Sequence, residues 1–112
     1  MKYVIPEKLT LQWTQHIKEK MRFYGLSESR IKRVMNHPTR LEEGIAPHTI
    51  AAMQPITKQK KTTQEIWIMY QDRGATRMMI TAWRYPGMSP VRGAIPIPDD
   101  ICALLNLSSG NT

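Results

Sequence analysis

Residues Trp13 to Pro38 read WTQHIKEKMRFYGLSESRIKRVMNHP, and the punctuation of this stretch predicts two short helices. Leu9, Trp13, Ile17, Met21 and Tyr24 recur at helical spacing and form one apolar stripe. His16, Lys18, Lys20 and Arg22 fall off or beside that stripe, on a face where chemistry is accessible. Gly25 can take the left-handed conformation that ends a helix, and Ser27 can cap a second one. Ile31, Val34 and Met35 form the stripe of that second helix, which stops before Pro38. The expectation is a helical hairpin with a cationic outer surface.

Length and composition frame the hairpin. A chain of 112 residues supports one compact domain over residues 1–112 and is too short for two. Eight methionines and three tryptophans within a 41% hydrophobic composition argue for a folded chain. No apolar run approaches the ~20 residues of a membrane span, so no membrane association is expected. The opening MKYVIPEK has no continuous apolar segment of a secretory signal, and the single Cys102 has no partner for an internal disulfide. A cytoplasmic location is the expectation. The formal net charge is +7, and residues 16 to 40 carry seven Lys/Arg against two Glu. Such local excess attracts polyanions by counterion release, which makes RNA or DNA the natural partner and an acidic protein the next; a merely solvated basic surface is the plain alternative.

After Pro38 the pattern changes. Thr39 to Pro47 mixes turn residues with Leu41 and Ile45, and His48 to Met53 fits a first strand or a short helix. Pro55 to Thr63, with Lys58, Lys60 and Lys61, reads as an exposed basic loop. Gln64–Tyr70 and Thr76–Tyr85, joined at Asp72-Arg73-Gly74, predict an antiparallel hairpin. Alternation assigns Ile66, Ile68 and Tyr70 with Met78, Ile80 and Ala82 to the helix side. The other side carries Glu65, Trp67 and Met69 with Arg77, Thr81, Trp83 and Tyr85. Three readings fit that strip: a cross-strand aromatic pair, a layer covered by the C-terminal segment, or a surface that stacks bases. Pro86 to Pro98 carries too many prolines for a helix or a central strand and predicts an extended arm. Asp99-Asp100 can cap a short C-terminal helix, Ile101 to Leu107, with Ile101, Leu104 and Leu105 inward, before a polar tail at residues 108–112.

The chain has no glycine-rich phosphate loop and no paired Cys/His spacing, so no cofactor or metal is expected. His16, His37 and His48 are scattered, the carboxylates are dispersed, and Cys102 reads as a small buried thiol. The remaining groups suit metal-free RNA phosphodiester chemistry, in which the substrate's 2′-hydroxyl is the nucleophile. Such a site needs a proton-transfer group and cations that hold the phosphoryl oxygens. His16 is the proton-transfer candidate, with Arg84 and Arg77 as the oxyanion partners. A hydrogen-bonded structural histidine and a solvated strand-end arginine are the structural alternatives for His16 and Arg84.

The order H-x3-[K/R]-M-x2-Y-G-[L/I]-S, a short helix ending near Pro, then a hairpin finishing in ITAWR, resembles the DUF4258 family of small bacterial and phage proteins. Those proteins resemble the BrnT ribonuclease toxins and, more distantly, the RelE-like toxins. The matching residues are His16, Lys20, Met21, Gly25, Leu26, Ser27, Ile31, Val34 and Pro38, with Ile80, Thr81, Trp83 and Arg84 at the other end. The match spans about residues 13 to 87. The chain departs from the pattern at Lys20 and Tyr24, where the family often carries Arg, and in the proline-rich arm. The resemblance implies helices packed on an antiparallel sheet. Together the readings predict an α+β domain, an N-terminal helical hairpin on a small antiparallel sheet in a RelE/BrnT-like arrangement. The expected function is RNA binding, with toxin-type endoribonuclease activity by His16, Arg84 and Arg77 as its catalytic form. Lys18, Lys20, Arg22 and Arg33 would guide the backbone while Trp83 and Tyr85 stack a base. The alternative is a non-catalytic module that docks an acidic, antitoxin-like, phage or host protein.

Overall fold

The computed structural model describes residues 9–44, 46–90 and 94–101, with nothing stated for the side chain of Thr62. The order of elements is β1 (Thr10–Trp13), α1 (Gln15–Tyr24), α2 (Glu28–Asn36), β2 (Arg40–Glu43), β3 (Ile50–Lys58), β4 (Lys61–Arg73) and β5 (Thr76–Pro86). They form an α+β fold around one five-stranded sheet in the order β1-β5-β4-β3-β2. β1 runs parallel to β5, and the remaining neighbours are antiparallel. Residues 99–101 are helical; the rest of the expected C-terminal helix, Cys102 and the polar tail lie outside the described residues, as does the opening MKYVIPEK.

Local chemistry accounts for the helix ends. Thr14 caps α1 by accepting from the Ile17 amide at 3.1 Å. Its hydroxyl lies 3.1 Å from the Met79 carbonyl and 3.0 Å from that of Ile80, so one side chain joins the helix start to β5. At the other end Gly25 sits at φ 68°, and the Gly25 and Leu26 amides return to the Arg22 and Met21 carbonyls. This pair of bonds is the Schellman closure, which needs the left-handed residue that glycine adopts without a Cβ penalty. Ser27 then accepts from the Arg30 amide at 3.1 Å and starts α2.

The hairpin of helices is not N-terminal, because β1 precedes it. Leu9 and Trp13 fit a helical stripe by spacing, but Leu11 and Trp13 also alternate, and pairing of Thr10–Trp13 with Thr76–Met79 decides for the strand. The basic loop expected over residues 55–63 is instead the end of a long β3–β4 hairpin, turned at Gln59 and Lys60, both with positive φ. Pro55 is tolerated within β3 because the ladder with β2 stops at the Arg40–Met53 pair, and among the described residues no strand pairs with the outer edge beyond it. β2 itself lies inside the stretch expected to be turns.

A register shift between Met69 and Tyr70 changes the face assignment along β5. Opposite Tyr70 stands Met79, so Met79 rather than Met78 and Ile80 joins Ile66, Ile68, Tyr70 and Ala82 in the helix-side core. Arg77 moves with it, its guanidinium 4.1 Å from the Tyr70 ring centre and away from the tryptophan strip. Ile17, Leu26, Ile31 and Val34 of the helical hairpin complete this core. On the opposite face Ala51, Met53, Trp67, Met69 and Trp83 are closed over by Ile95 and Ile97 of the extended arm and by Ile101 of the helical turn that follows it. The sheet is therefore the middle of three layers. No helix among the described residues is long and apolar enough to cross a membrane.

Candidate nucleic-acid interface

The three groups read as catalytic do not meet. His16 is half-buried at the start of α1 and shares a 2.8 Å hydrogen bond with the hydroxyl of Thr81, itself fully buried. Arg84 is held at the end of the same helix. Its Nε donates to the Tyr24 carbonyl at 3.2 Å, and Nη2 donates to Tyr24 O at 2.8 Å and to Gly25 O at 3.4 Å. Nη1 donates to Gln64 Oε1 at 2.8 Å. A guanidinium placed on the last carbonyls of a helix satisfies their lone pairs and complements the negative end of the helix dipole. Arg77 forms a two-point pair with Asp72, at 2.6 and 3.0 Å. Arg84 lies seven residue steps farther along β5, roughly 23 Å at the rise of a strand. A single phosphate cannot bridge that span, so His16, Arg84 and Arg77 do not form one catalytic cleft.

The His16 imidazole is pushed below its ordinary value of 6.5, first by burial and then by the neighbouring Lys20, with Glu19 and Asp100 opposing. A histidine whose folded pKa is lowered binds fewer protons when folded than when unfolded in the window below 6.5. Stability is then complete above that value and is lost as pH falls toward the folded pKa. Urea midpoints are expected to drop between about pH 7 and pH 5, and to drop less in His16→Gln, which keeps a hydrogen-bonding partner for Thr81. A variant profile as steep as wild type would show that His16 does not carry the dependence.

Trp83 is fully buried, stacked on Trp67 with ring centres 5.8 Å apart and an interplanar angle of 4°. It is an interior cross-strand pair and offers no face to a base, which corrects the stacking role expected for it. Tyr85 is half-buried against the same cluster. The strip is therefore the aromatic pair and the covered layer at once. Lys20 is not free to guide a backbone either, since it forms an ion pair with Asp100 at the start of the C-terminal helical turn and lies 5.3 Å from the Phe23 ring centre.

Lys18, Arg22 and Arg33 remain exposed as expected, and Lys32, Lys58, Lys60 and Lys61 join them. Among the described residues none of these seven forms an ion pair, whereas Lys20, Arg40 and Arg77 do. Five of the seven border clefts: Lys18 and Arg22 one with Ser27, Lys32 and Arg33 another along α2 that Glu28 also lines, and Lys58 a third, with Arg30, between α2 and the β3–β4 hairpin.

One constellation escaped the sequence reading. Glu65 is 1% exposed and accepts from Trp67 Nε1 at 3.0 Å, from the Ser89 amide at 3.0 Å and from the Ser89 hydroxyl at 2.7 Å. Arg40 donates to that same hydroxyl at 3.0 Å, pairs with Glu42 and lies 5.2 Å from the Trp67 ring centre. A mostly apolar cavity of about 310 Å3 adjoins the group, bordered by Met53, Pro55 and Met88. The available signal was a carboxylate on the same strand face as Trp67. Its polar groups satisfy one another and fasten the arm to the sheet.

Comparison with protein-family models, with curated proteins and with solved structures finds no match. The resemblance to the DUF4258 family thus rests on the motif residues alone.

Proposed function

We propose that the chain is an RNA-binding domain that engages the phosphate backbone through the outer surface of the α1–α2 hairpin and the tip of the β3–β4 hairpin. The observation that carries this reading is the set of seven exposed cations on those neighbouring elements that form no ion pair among the described residues. Surface lysines and arginines that spend no charge on carboxylates are free to displace counterions from a polyanion. Two successive helices on one face of a mostly antiparallel sheet support a RelE/BrnT-like arrangement as the finer description of the fold. The separation of His16, Arg84 and Arg77 favours binding without cleavage by that set.

Fluorescence anisotropy with a single-stranded RNA oligonucleotide across a salt series tests the reading. Neutralising roughly four phosphates gives a slope of log affinity against log salt near −3. Charge reversal of Lys18, Arg22 and Lys32 together is expected to flatten it by about 2. Binding that is absent at low salt, or indifferent to salt, would overturn RNA recognition and put an acidic protein partner in its place.

A further inference from the structure

Where α2 begins beside the β3–β4 hairpin, a cleft of about 360 Å3 is lined by Arg30, Ile56, Lys58, Thr63, Gln64 and Arg84. Three cations thus reach one concavity from α2, β3 and β5, and among the described residues no carboxylate lines it. The bonds of Arg84 to Tyr24, Gly25 and Gln64 use four of its five N–H groups, leaving one on Nη1 and the whole positive charge at a fixed position. Gln64 turns its oxygen to Arg84, so its amide nitrogen keeps two donors with no partner among the described residues. Arg30 is half-buried, and among the described residues neither its guanidinium nor the Lys58 ammonium is in an ion pair. Thr63 is oriented by its own bond to the Ile56 carbonyl at 3.2 Å.

We infer that this cleft is a phosphate-binding subsite, which takes one phosphoryl group between Arg30, Lys58, Gln64 and Arg84. The chemistry is selective. Every unused polar hydrogen there is a donor, the charge is positive from three directions, and a phosphoryl group supplies only acceptor oxygens with negative charge. The anchoring of Arg84 on the end of α1 holds one cation in place before the ligand arrives, which lowers the ordering cost of binding. The inference deepens the RNA reading and rests on it for the source of the phosphate, an internal phosphodiester or a 5′ end. Binding of a free phosphate tests the site by itself.

The test is a nuclear magnetic resonance titration of the full chain with inorganic phosphate, followed by anisotropy with 5′-phosphorylated and 5′-hydroxyl forms of one RNA oligonucleotide. Saturable shifts are expected at the Nε–H of Arg30, at the Nη1–H of Arg84 and at the Gln64 side-chain amide. Arg30→Gln and, separately, Lys58→Gln at the exposed strand end are each expected to weaken phosphate about tenfold, the scale of one charge-assisted hydrogen bond. The double variant Lys18→Gln/Arg22→Gln loses more charge outside the cleft and is expected to weaken it less than about twofold, since screening limits distant charges. Preference for the phosphorylated oligonucleotide assigns the subsite to a chain end, and equal affinity assigns it to an internal phosphodiester. Diffuse, unsaturable shifts, or equal losses in cleft and control variants, overturn the subsite while leaving the cationic surface intact. A saturable phosphate site in a chain that binds neither oligonucleotide would instead overturn the RNA reading.

Discussion

Replacing Trp83 with Ala is expected to lower the unfolding free energy by about 3–5 kcal/mol, the range for truncating a buried large aromatic. The residue has no exposed surface and packs face to face with Trp67, with Ile101 enclosed in the same cluster. A ring of this size buries roughly 150–250 Å2, worth about 4–6 kcal/mol at about 25 cal/mol per Å2, before the cavity left behind is counted. Set against a typical domain stability of about 5–15 kcal/mol, that loss consumes a large share of the whole. The Trp83 indole N–H is buried with no hydrogen-bond partner among the described residues. Trp83→Phe therefore removes an unsatisfied donor while keeping an aromatic ring, and its cost is expected to be about 1–2 kcal/mol, smaller than its lost volume alone implies. Guanidinium unfolding followed by the fluorescence of the remaining tryptophans reads both variants. A shift below about 1 kcal/mol for Trp83→Ala would show that the ring is not enclosed and would return it to the base-stacking surface.

What was legible in the sequence was local. The Gly25-Leu26-Ser27 junction closes one helix and opens the next by bonds within a few residues, so its spelling determines both ends. The β4–β5 hairpin was equally plain, because its turn and its alternation lie in one contiguous stretch. β1 was hidden because Leu9 and Trp13 fit a helical period while Leu9, Leu11 and Trp13 fit a strand period, and the strand that resolves the ambiguity lies more than sixty residues away. The shift at Met69/Tyr70 was invisible for a related reason: a bulge changes which residues face the core without changing which residues are apolar.

The candidate site divides along the same line. Cationic surface was readable because charge density in one stretch of chain survives folding as exposed charge. Pairings across the fold were not. Arg84 looks like a free strand-end arginine until the Tyr24 and Gly25 carbonyls are brought to it, and Trp83 looks like a stacking platform until the arm closes over the sheet. Glu65 shows the reverse case, since a carboxylate among tryptophans has to be either exposed or fully bonded, and only the position of Ser89 settles which.

Glu65→Ala is the second large effect, at about 3–4 kcal/mol of lost stability. The substitution strands three buried donors, Trp67 Nε1, the Ser89 amide and the Ser89 hydroxyl. Each unsatisfied donor costs about 1–3 kcal/mol, offset in part because a carboxylate no longer has to be buried and because the Ser89 hydroxyl can rotate. Glu65→Gln separates shape from charge. Its remaining oxygen can still accept from Trp67 and the Ser89 hydroxyl, but its NH2 then faces the Ser89 amide, donor against donor, so a smaller loss of about 1–2 kcal/mol is expected. The two variants also differ in where the loss appears. Because both oxygens of Glu65 hold Ser89, its removal loosens the arm before the sheet, and hydrogen exchange at the Ser89 amide is expected to accelerate more than exchange in β4. The proposed RNA affinity and its salt slope are expected to stay unchanged in the folded variant, since Glu65 lines none of the three clefts along α1, α2 and the β3–β4 hairpin. A Glu65→Ala protein within about 0.5 kcal/mol of wild type, with unaltered exchange at Ser89, would mean that Ile95, Ile97 and Ile101 hold the arm by apolar burial alone.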